Sequence, residues 1–422
     1  MPFISAMQEN GQDRSRHFDP LARFYTKQHV ADLLVKLMNG TPPKRIVDVG
    51  AGAGTLSVAA GGKWRGAELC TIDLDQDCVV DLKCNISGLG FSRHTHVTID
   101  ALDVDLPKQI LRGRAGFDAA VSNPPYLQPQ WRPGFEQILS EARLDNVFSA
   151  ISDVTLDAIF ISQLLRLTRS GANVGIIVPD GVITGQKSQK LRRAIIENYE
   201  IKCVVQLPRC SFAKTDAQAY IMVLRKTAPV KKQINLLNYT LENGLSRPLN
   251  ISLDAGVERL DYAFYTVDQL LGRRDSHVSL SDINAEIVRG RLSSAEAKAV
   301  NYKVFHTSDF PPVPGGPVRL PPLTSSCDTG SKPDVLATAG DILLARVDRQ
   351  LHRKVGLVIE GAAPITDCIY RIRLPQTMRT AVLSALSSDE GRNLLYSAAR
   401  GVSARMLSKH DLLHLPLLSA KA

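Results

Sequence analysis

The segment SNPPY at 122–126 has the residue types needed to hold a planar amino group. Pro124 and Pro125 fix the backbone and remove two N–H donors, so the Pro124 carbonyl oxygen stays available as an acceptor. The side-chain oxygen of Asn123 is a second acceptor, and Tyr126 supplies a flat ring for stacking. When two acceptors receive hydrogen bonds from both hydrogens of an –NH2 group, the nitrogen lone pair stays available to attack an electrophilic methyl group. The alternative without chemistry is a rigid turn at the end of a strand.

A glycine-rich turn, DVGAGAG at 48–54, offers a place for a nucleotide cofactor. Glycines let the backbone turn tightly and approach a ligand closely, although a strand–helix turn without a ligand has the same composition. Acidic residues follow at the ends of the next two predicted strands: Asp73 suits a ribose diol, and Asp100 suits an adenine amino group. Their joint placement favours an adenosine-containing cofactor. Asp75 is more simply explained as the N-cap of the next helix.

The elements that must position these residues alternate between apolar runs and helical stretches. The apolar runs predict seven strands, at 44–50, 67–75, 97–101, 117–123, 173–179, 201–208 and 219–226. Helical periodicity predicts helices after Thr26, at 151–169 and at 187–198. Strands buried on both faces and alternating with helices predict a parallel, doubly wound α/β sheet. The last two strands should pair antiparallel, because their connection is too short for a crossover helix.

The pattern changes after Lys226, where the alternation of strands and helices stops. Proline and glycine predict extended backbone at 311–323. The later part of the chain predicts an antiparallel β unit and one helix, with strands at 340–347, 355–360 and 368–375 and the helix near 378–398. We therefore expect a second domain of different architecture.

Residues 20–226 resemble the gamma class of N6-adenine DNA methyltransferases, in particular the modification subunit of type I restriction systems. The resemblance rests on Phe24-Tyr25-Thr26 ahead of a helix, the DVGAGAG turn, IDLD, NPPY and the segment at 178–226, in that order. It implies a Rossmann-like, seven-stranded methyltransferase sheet and S-adenosyl-L-methionine as the cofactor. It also implies a site-specific enzyme that methylates N6 of an adenine flipped out of double-stranded DNA.

The resemblance further implies roles for individual residues. Thr26 would hold the methionine carboxylate, although Lys27 stands where the family often has proline. The other residues implied to bind the cofactor are Asp48, Gly50 and Gly52 at the methionine end, Asp73 at the ribose, Asp100 and Ala101 at the adenine, and Asn123 beside the methyl group. The implied catalytic residues are Asn123, Pro124, Pro125 and Tyr126, with Tyr126 and Phe212 stacking on opposite faces of the target base.

Residues 245–422 resemble, more loosely, half of a type I specificity subunit. This resemblance implies that 1–240 form the methyltransferase domain, with 1–20 as a polar arm, and that 241–422 form a mixed α+β target-recognition domain. A basic cluster lies on a predicted hairpin, where it would meet phosphates or base edges: Arg346, Arg349, His352, Arg353 and Lys354. A solvated hairpin face is the alternative. The partners implied are double-stranded DNA and a subunit of a restriction or phage-defence system.

Composition narrows the class of protein without choosing a function. The net charge of +9 permits binding to a polyanion, and no apolar run approaches the roughly 18 residues that span a bilayer. Seven cysteines without a Cys-x-x-Cys pair, and a polar start unlike a secretory signal, lead us to expect a cytoplasmic protein. His94 and His96 lack further ligands at metal spacing, so we expect no metal. Rival functions remain: an RNA or protein-glutamine methyltransferase, or a DNA-binding regulator that does not turn over.

Overall fold

The computed structural model describes residues 26–126, 129–209, 211–212, 217–266, 277–322, 335–401 and 404–419. Phe24 and Tyr25 lie outside these ranges, as does the predicted polar arm at 1–20. Among the described helices, none is both long and apolar enough to cross a membrane.

A large sheet occupies the first part of the chain. Its strands are β1 Arg45–Val49, β2 Glu68–Asp73, β3 Arg93–Thr98, β4 Phe117–Ser122, β5 Thr168–Pro179, β6 Glu200–Gln206, β7 Ala219–Arg225, β8 Gln233–Thr240, β9 Gly244–Leu245 and β10 Leu249–Ser252. The strand order is β10-β8-β6-β7-β5-β4-β1-β2-β3, with β9 beside β8. The seven predicted strands are the run from β3 to β6. They are parallel except β7, which pairs antiparallel with both β5 and β6, as the short connection predicted.

Helices cover both faces of this sheet. They are α1 Gln28–Leu37, α2 Thr55–Lys63, α3 Val79–Ile86, α4 Leu106–Leu111, α5 Phe135–Glu141, α6 Leu156–Leu167, α7 Asp180–Thr184, α8 Gln189–Asn198 and α9 Leu253–Glu258. The first three pack on one face and the rest on the other, so the sheet separates two apolar cores. Ile176 and Ile177 show why the strands are apolar throughout: successive residues of β5 enter opposite cores.

The site lies at β1, the point from which the strand order of the sheet continues in both directions. β1 has β2 on one side and β4 on the other, and it is parallel to both. The chain leaves β2 toward one face of the sheet and leaves β4 toward the other. The carboxyl ends of β1 and β4 therefore form the switch point where open α/β sheets bind ligands. DVGAGAG and NPPY follow these two strands directly.

Two elements of this part differ from the sequence prediction. The third strand lies at Arg93–Thr98 instead of 97–101, and it is an edge strand with β2 as its neighbour. An edge position tolerates the polar side chains of RHTHVT, which hid the strand from a search for apolar runs. The helix predicted at 151–169 is confined to α6, after a 3-10 turn at Ile151–Asp153, and Thr168 already belongs to β5.

A second sheet occupies the later part of the chain. The remaining strands are β11 His277–Ser279, β12 Glu286–Arg289, β13 Gly316–Arg319, β14 Leu336–Thr338, β15 Ile342–Ala345, β16 Val347–Asp348, β17 Val355–Glu360, β18 Ala362–Pro364, β19 Ile369–Arg373, β20 Arg405–Met406 and β21 Pro416–Ser419. Five of them form the sheet β12-β19-β15-β17-β13. The strands predicted at 340–347, 355–360 and 368–375 correspond to β15, β17 and β19, and they pair antiparallel as predicted. The Pro/Gly-rich stretch adds β13 to this sheet, parallel to β17.

Helices of this part are α10 Ser294–Ala299, α11 Gln376–Ser387, α12 Asp389–Ala398 and α13 Lys409–Leu413. The single helix predicted near 378–398 is two helices. Ser388 ends α11 and caps α12 by accepting a hydrogen bond from the Gly391 amide (3.0 Å), with acidic residues in the next turn. The first sheet also continues beyond residue 240, because β10 pairs with β8.

Candidate active site

The two loops that follow β1 and β4 are held side by side by the strand register. Val49 pairs with Ser122, and the Ser122 hydroxyl donates a hydrogen bond to the Val49 carbonyl oxygen (2.6 Å). The next residue of each chain segment is a site residue, Gly50 on one side and Asn123 on the other. The parallel pairing of the strands therefore places the glycine turn against NPPY.

The glycine turn combines a tight side and an open side. Gly54 has φ +85°, and a Cβ there would lie 2.5 Å from a methyl carbon of Leu82. Only glycine satisfies both the left-handed backbone and this close approach. Gly52 has φ +50°, and a Cβ there would meet nothing within 4 Å. The turn is thus packed against α3 at Gly54 and leaves space beside Gly52.

Asp73 organises the loop after β2 and contacts the glycine turn. Its Oδ2 accepts a hydrogen bond from the Gly52 amide (2.7 Å), and its Oδ1 accepts one from the Asp75 amide (2.9 Å). The carboxylate keeps further lone pairs for a ligand. Asp75 is not the N-cap of α3, because Cys78 occupies that position. Asp75 instead closes a small turn by accepting from the Asp77 amide (2.9 Å).

Asp48 is a buried carboxyl group beneath the glycine turn. Its Oδ2 accepts a hydrogen bond from the Ser57 hydroxyl (2.7 Å). Its Oδ1 is also buried and has no hydrogen-bond partner among the described residues. Burial raises the pKa of Asp48 to about 7, with the Asp73 charge adding to the effect against the Ser57 hydrogen bond. A buried carboxyl oxygen without a donor is suited to a cationic or hydrogen-bonding ligand.

Asn123 joins the N-terminal segment to Tyr126. Its amide nitrogen donates to the Thr26 hydroxyl (2.9 Å), and its Oδ1 accepts from the Tyr126 hydroxyl (3.2 Å). Thr26 also forms an isolated antiparallel bridge with Phe212. The structure therefore brings together Thr26, the NPPY segment and Phe212, which lie far apart in the sequence. Burial raises the pKa of Tyr126 well above its usual value, with a smaller contribution from the nearby carboxyl group of Asp157.

The proline pair and Phe212 differ in how far they are enclosed. Pro124 is buried and Pro125 is half-buried. Phe212 is 2% exposed and packs in the core beneath α1, while Tyr126 is half-buried against the same core. A base could stack on Phe212 only after its ring had left this packing.

Asp100 and Ala101 lie just past the end of β3, not within it. Asp100 Oδ1 accepts from the Leu102 amide (2.9 Å), and Oδ2 pairs with Arg132 (2.5 Å) from the loop that follows NPPY. Ala101 is buried, and its carbonyl oxygen accepts from Gln163 (2.8 Å) on α6. Arg132 was not predicted, because only the fold brings its loop to the end of β3.

Sequence reasoning also missed Asp157 and Phe160, which lie one turn apart on α6. Asp157 is 6% exposed, and its Oδ1 is buried without a hydrogen-bond partner among the described residues. Burial raises its pKa to about 7. A Cβ on Gly50 would lie 3.4 Å from the Phe160 ring, so this turn of α6 packs against the glycine turn. The available signal was a single acidic residue in the apolar segment LDAIFISQLL.

In the predicted basic cluster, two side chains are exposed and three contact other residues of the protein. Arg349 and Arg353 are exposed. The others are half-buried: Arg346 donates to the Asp367 carbonyl oxygen (3.0 Å), Lys354 pairs with Asp348 (2.7 Å), and His352 packs edge-on against Tyr396 (5.1 Å between ring centroids). Burial and the surrounding arginines, Arg353 foremost, lower the pKa of His352.

Tyr396 links this cluster to the first part of the chain. Arg405 stacks over its ring (4.0 Å to the centroid), and Arg209 donates to its hydroxyl (3.3 Å). Arg209 lies three residues before Phe212 in the LPRCSF segment. The His352 side of the cluster is therefore next to the loop that carries Phe212.

Buried polar contacts join the two sheets elsewhere. Arg259, 2% exposed, pairs with Asp261 (2.8 Å) and donates to the carbonyl oxygens of Ser397 and Ala398 (both 2.9 Å). Asp180 accepts from the Gly401 amide (2.8 Å). These contacts connect α7 and the segment after α9 with the end of α12.

A model of the family described as N-6 DNA Methylase matches residues 19–264, more than half of the chain. The chain belongs to this family. The match extends over the glycine turn, NPPY and the first sheet through α9.

Two curated relatives are similar to parts of the chain. Release factor glutamine methyltransferase of Gloeobacter violaceus is 30% identical over 158 residues, which are 36% of this chain and 51% of that protein. The methylase subunit of type I restriction enzyme MpnII of Mycoplasma pneumoniae is 22% identical over 198 residues, 46% of this chain and 36% of that protein. The chain thus spans about half or less of the length of these relatives.

One solved structure resembles most of the chain in fold. The type IIG restriction endonuclease BpuSI has a TM-score of 0.52 at 13% identity, covering 92% of this chain and 57% of that chain. This likeness concerns the fold alone. Within the described ranges, no group of three or more His, Cys, Asp or Glu side chains is arranged to hold a metal ion. His94 and His96 instead both contact the Thr71 hydroxyl (2.9 and 3.0 Å).

Proposed function

We propose that this chain is a site-specific DNA methyltransferase that transfers a methyl group from S-adenosyl-L-methionine to N6 of adenine. The observation that carries the proposal is the position of NPPY: it follows β4 at the switch point of the sheet, directly beside the glycine turn. A base held by NPPY would lie next to a cofactor held by the glycine turn. Membership of the N-6 DNA Methylase family supports this reaction over other uses of the fold.

The glycine turn and its carboxylates fit the proposed cofactor. The space beside Gly52 and the unpartnered Asp48 oxygen leave room and hydrogen-bonding capacity at the methionine end. We propose that Thr26, Gly50 and Gly52 also line this end, that Asp73 binds the ribose, and that Asp100 and Ala101 border the adenine. When bound, S-adenosyl-L-methionine supplies a methyl group on a positively charged sulfonium.

In the proposed mechanism, the side-chain oxygen of Asn123 and the carbonyl oxygen of Pro124 each accept a hydrogen bond from the adenine amino group. Pro125 fixes the Pro124 carbonyl, because proline restricts the backbone before it. Tyr126 stacks on one face of the base, a contact worth about 1–3 kcal/mol. That energy would offset part of the few kcal/mol needed to flip the base out of the duplex. Phe212 would stack on the other face after leaving its packed position.

We further propose that residues 241–422 recognise the DNA sequence. The support is that Arg349 and Arg353 are exposed on the hairpin between β15 and β17, where phosphates could reach them. Arg346, His352 and Lys354 are more enclosed, so we assign them to holding the hairpin as well as to contacting DNA. In this proposal the protein works within a restriction-modification or phage-defence system, with a nuclease or other subunit of that system as its partner.

A second candidate function follows from one specific observation. The chain is 30% identical to release factor glutamine methyltransferase over 158 residues, and a glutamine side chain also ends in a planar –NH2 group. We rank it second because the family match favours DNA.

The experiment that separates these functions is methyl transfer from labelled S-adenosyl-L-methionine. The full chain is incubated with unmethylated genomic DNA, total RNA or a purified release factor, and the DNA products are mapped for N6-methyladenine. We expect label in DNA only, at adenines within one short sequence. Label in the release factor or RNA instead of DNA would overturn the proposal in favour of the named rival. Cofactor binding without transfer to any substrate would favour a regulator that does not turn over.

A further inference from the structure

The first turn of α6 holds a carboxyl group that the mechanism above does not use. Asp157 is 6% exposed, and its Oδ1 has no hydrogen-bond partner among the described residues. Burying an ionised carboxylate without a partner is costly, so proteins place such groups opposite a cation or a donor. The first turn of a helix favours a carboxylate through the helix dipole, yet Oδ1 still has no donor there. Oδ1 can therefore take a partner that the described residues do not supply.

The packing around α6 restricts where that partner can lie. Phe160, one turn after Asp157, packs against the position of Gly50 in the glycine turn. Asp157 itself is close enough to Tyr126 for its charge to act on the phenol. The first turns of α6 thus lie close to both loops of the site, with Phe160 against the glycine turn and Asp157 within electrostatic range of the Tyr126 phenol. A partner of Asp157 would then lie between the cofactor turn and the target-base segment.

We propose that Asp157 is the counter-charge for the sulfonium of S-adenosyl-L-methionine. This inference rests on the proposed function. Methyl transfer requires the sulfonium to lie between the glycine turn and the amino group held by Asn123, which is the region that Asp157 borders. The α-ammonium group, the other cation of the cofactor, is assigned to the methionine end, where Asp48 has its own unpartnered oxygen. Two buried carboxyls would then serve two separate charges.

The test compares ligands that differ in charge at one atom. S-adenosyl-L-methionine carries the sulfonium, sinefungin carries an amino group at the same place, and S-adenosylhomocysteine carries no charge there. All three keep the α-ammonium group. Dissociation constants of the full chain are measured by calorimetry for wild type and Asp157→Asn. We expect Asp157→Asn to weaken binding of the two charged ligands by about tenfold or more, as for a lost charge-assisted contact. Binding of S-adenosylhomocysteine should change less than threefold.

The control removes a carboxylate near the same helix that already has a partner. Asp153 pairs with Lys187 (2.6 Å) in the 3-10 turn before α6. Asp153→Asn should leave the preference for charged ligands unchanged. Circular dichroism and thermal unfolding without ligand confirm folding, and Asp157→Ser is a second variant if the amide does not fold.

The changes in the three dissociation constants distinguish the possible positions of Asp157. An equal loss for all three ligands would place Asp157 at the α-ammonium or the adenosine and overturn the sulfonium assignment. An unchanged preference in Asp157→Asn would also overturn it, while leaving the methyltransferase proposal intact. If the wild-type chain binds none of the three ligands, the proposed function itself fails, and this inference with it.

Discussion

At the scale of single residues, Asn123 has two neighbours that matter for its role. Its nitrogen contacts Thr26 and its oxygen contacts Tyr126. The amide is therefore held in one orientation, with the oxygen on the Tyr126 side. A preorganised acceptor favours reaction because it needs no rearrangement when the substrate arrives.

Asn123→Ala should reduce the methylation rate more than tenfold, because one of two acceptors for the amino group is lost. Binding of S-adenosyl-L-methionine should be largely retained, as measured by calorimetry. Asn250→Ala, at an exposed position on the edge strand β10, is the matched control and should keep the wild-type rate. If Asn123→Ala retains more than a tenth of the rate, Asn123 is not a catalytic residue.

Asp48 should make the stability of the ligand-free protein depend on pH. Its pKa is raised to about 7 in the folded protein, above the usual value of 3.8, so the folded state holds a proton that the unfolded state has lost. Its contribution is complete below about pH 4 and is lost as the pH rises to about 7. A group of this kind lowers the free energy of unfolding by about 1.4 kcal/mol per pH unit in that window.

The measurement is denaturant unfolding at pH 5 and pH 7. Between pH 5 and pH 7, the free energy of unfolding should fall by about 2–3 kcal/mol less in Asp48→Asn than in the wild type. The asparagine can still accept a hydrogen bond from Ser57, so the comparison isolates the proton. The same slope in both proteins would mean that Asp48 is ionised throughout.

At the scale of elements, the glycine just before α2 is required by two constraints that a glycine near the end of the same helix does not have. Gly54 combines a left-handed backbone with contact to Leu82, whereas Gly62, near the end of α2, faces open space. Gly54→Ala should lower the free energy of unfolding by about 1–3 kcal/mol through strain and overpacking. Gly62→Ala should raise it by about 0.5–1 kcal/mol, because alanine favours the helix. Equal effects in a denaturant titration would contradict this account of the turn.

Most elements of the first sheet could be predicted because their signal is local. β1, β4 and β5 are apolar on both faces, and the motifs mark their carboxyl ends. β3 was misplaced because an edge strand needs no apolar run, and the α11–α12 break was missed because Ser388 lies inside a continuous helical pattern. Propensity alone could not show that a serine followed by two acidic residues begins a new helix there.

The candidate site was predictable only in part, for a related reason. NPPY and the glycine turn can be identified from composition alone, since their backbone geometry requires proline and glycine. Asp157 and Arg132 have ordinary sequence surroundings, and they join the site only because α6 and the loop after NPPY fold over it. Their roles depend on contacts between distant segments, which a single sequence does not display.

At the scale of the whole molecule, the two sheets are joined by buried hydrogen bonds rather than by a loose linker. Arg259 reaches the end of α12, and Asp180 accepts from Gly401. Removing one member of such a pair leaves a buried polar group without a partner. The proposed recognition part is therefore held in a defined position relative to the catalytic loops.

The exposed arginines of the hairpin should set affinity for DNA of any sequence. Arg349→Ala and Arg353→Ala should each weaken binding and reduce the slope of log K against log salt by about one, because each phosphate contact releases counterions. Arg65→Ala is the control, since Arg65 is exposed just before β2, at the end of the first sheet away from the two motif loops. Binding is followed by fluorescence anisotropy over a salt series. If only one base position loses its preference, the arginine reads a base instead of a phosphate.

The position of β7 has a consequence for synthesis of the chain. β5 and β6 do not pair with each other, because β7 lies between them and pairs with both. While the ribosome is still making residues before 219, the apolar edge of β5 has no neighbour on that side, and β6 has no place in the sheet. An uncovered edge of this kind is prone to pairing with other chains. We therefore expect the growing polypeptide to be most prone to mispairing until Arg225 has emerged, even though the catalytic motifs were completed about a hundred residues earlier.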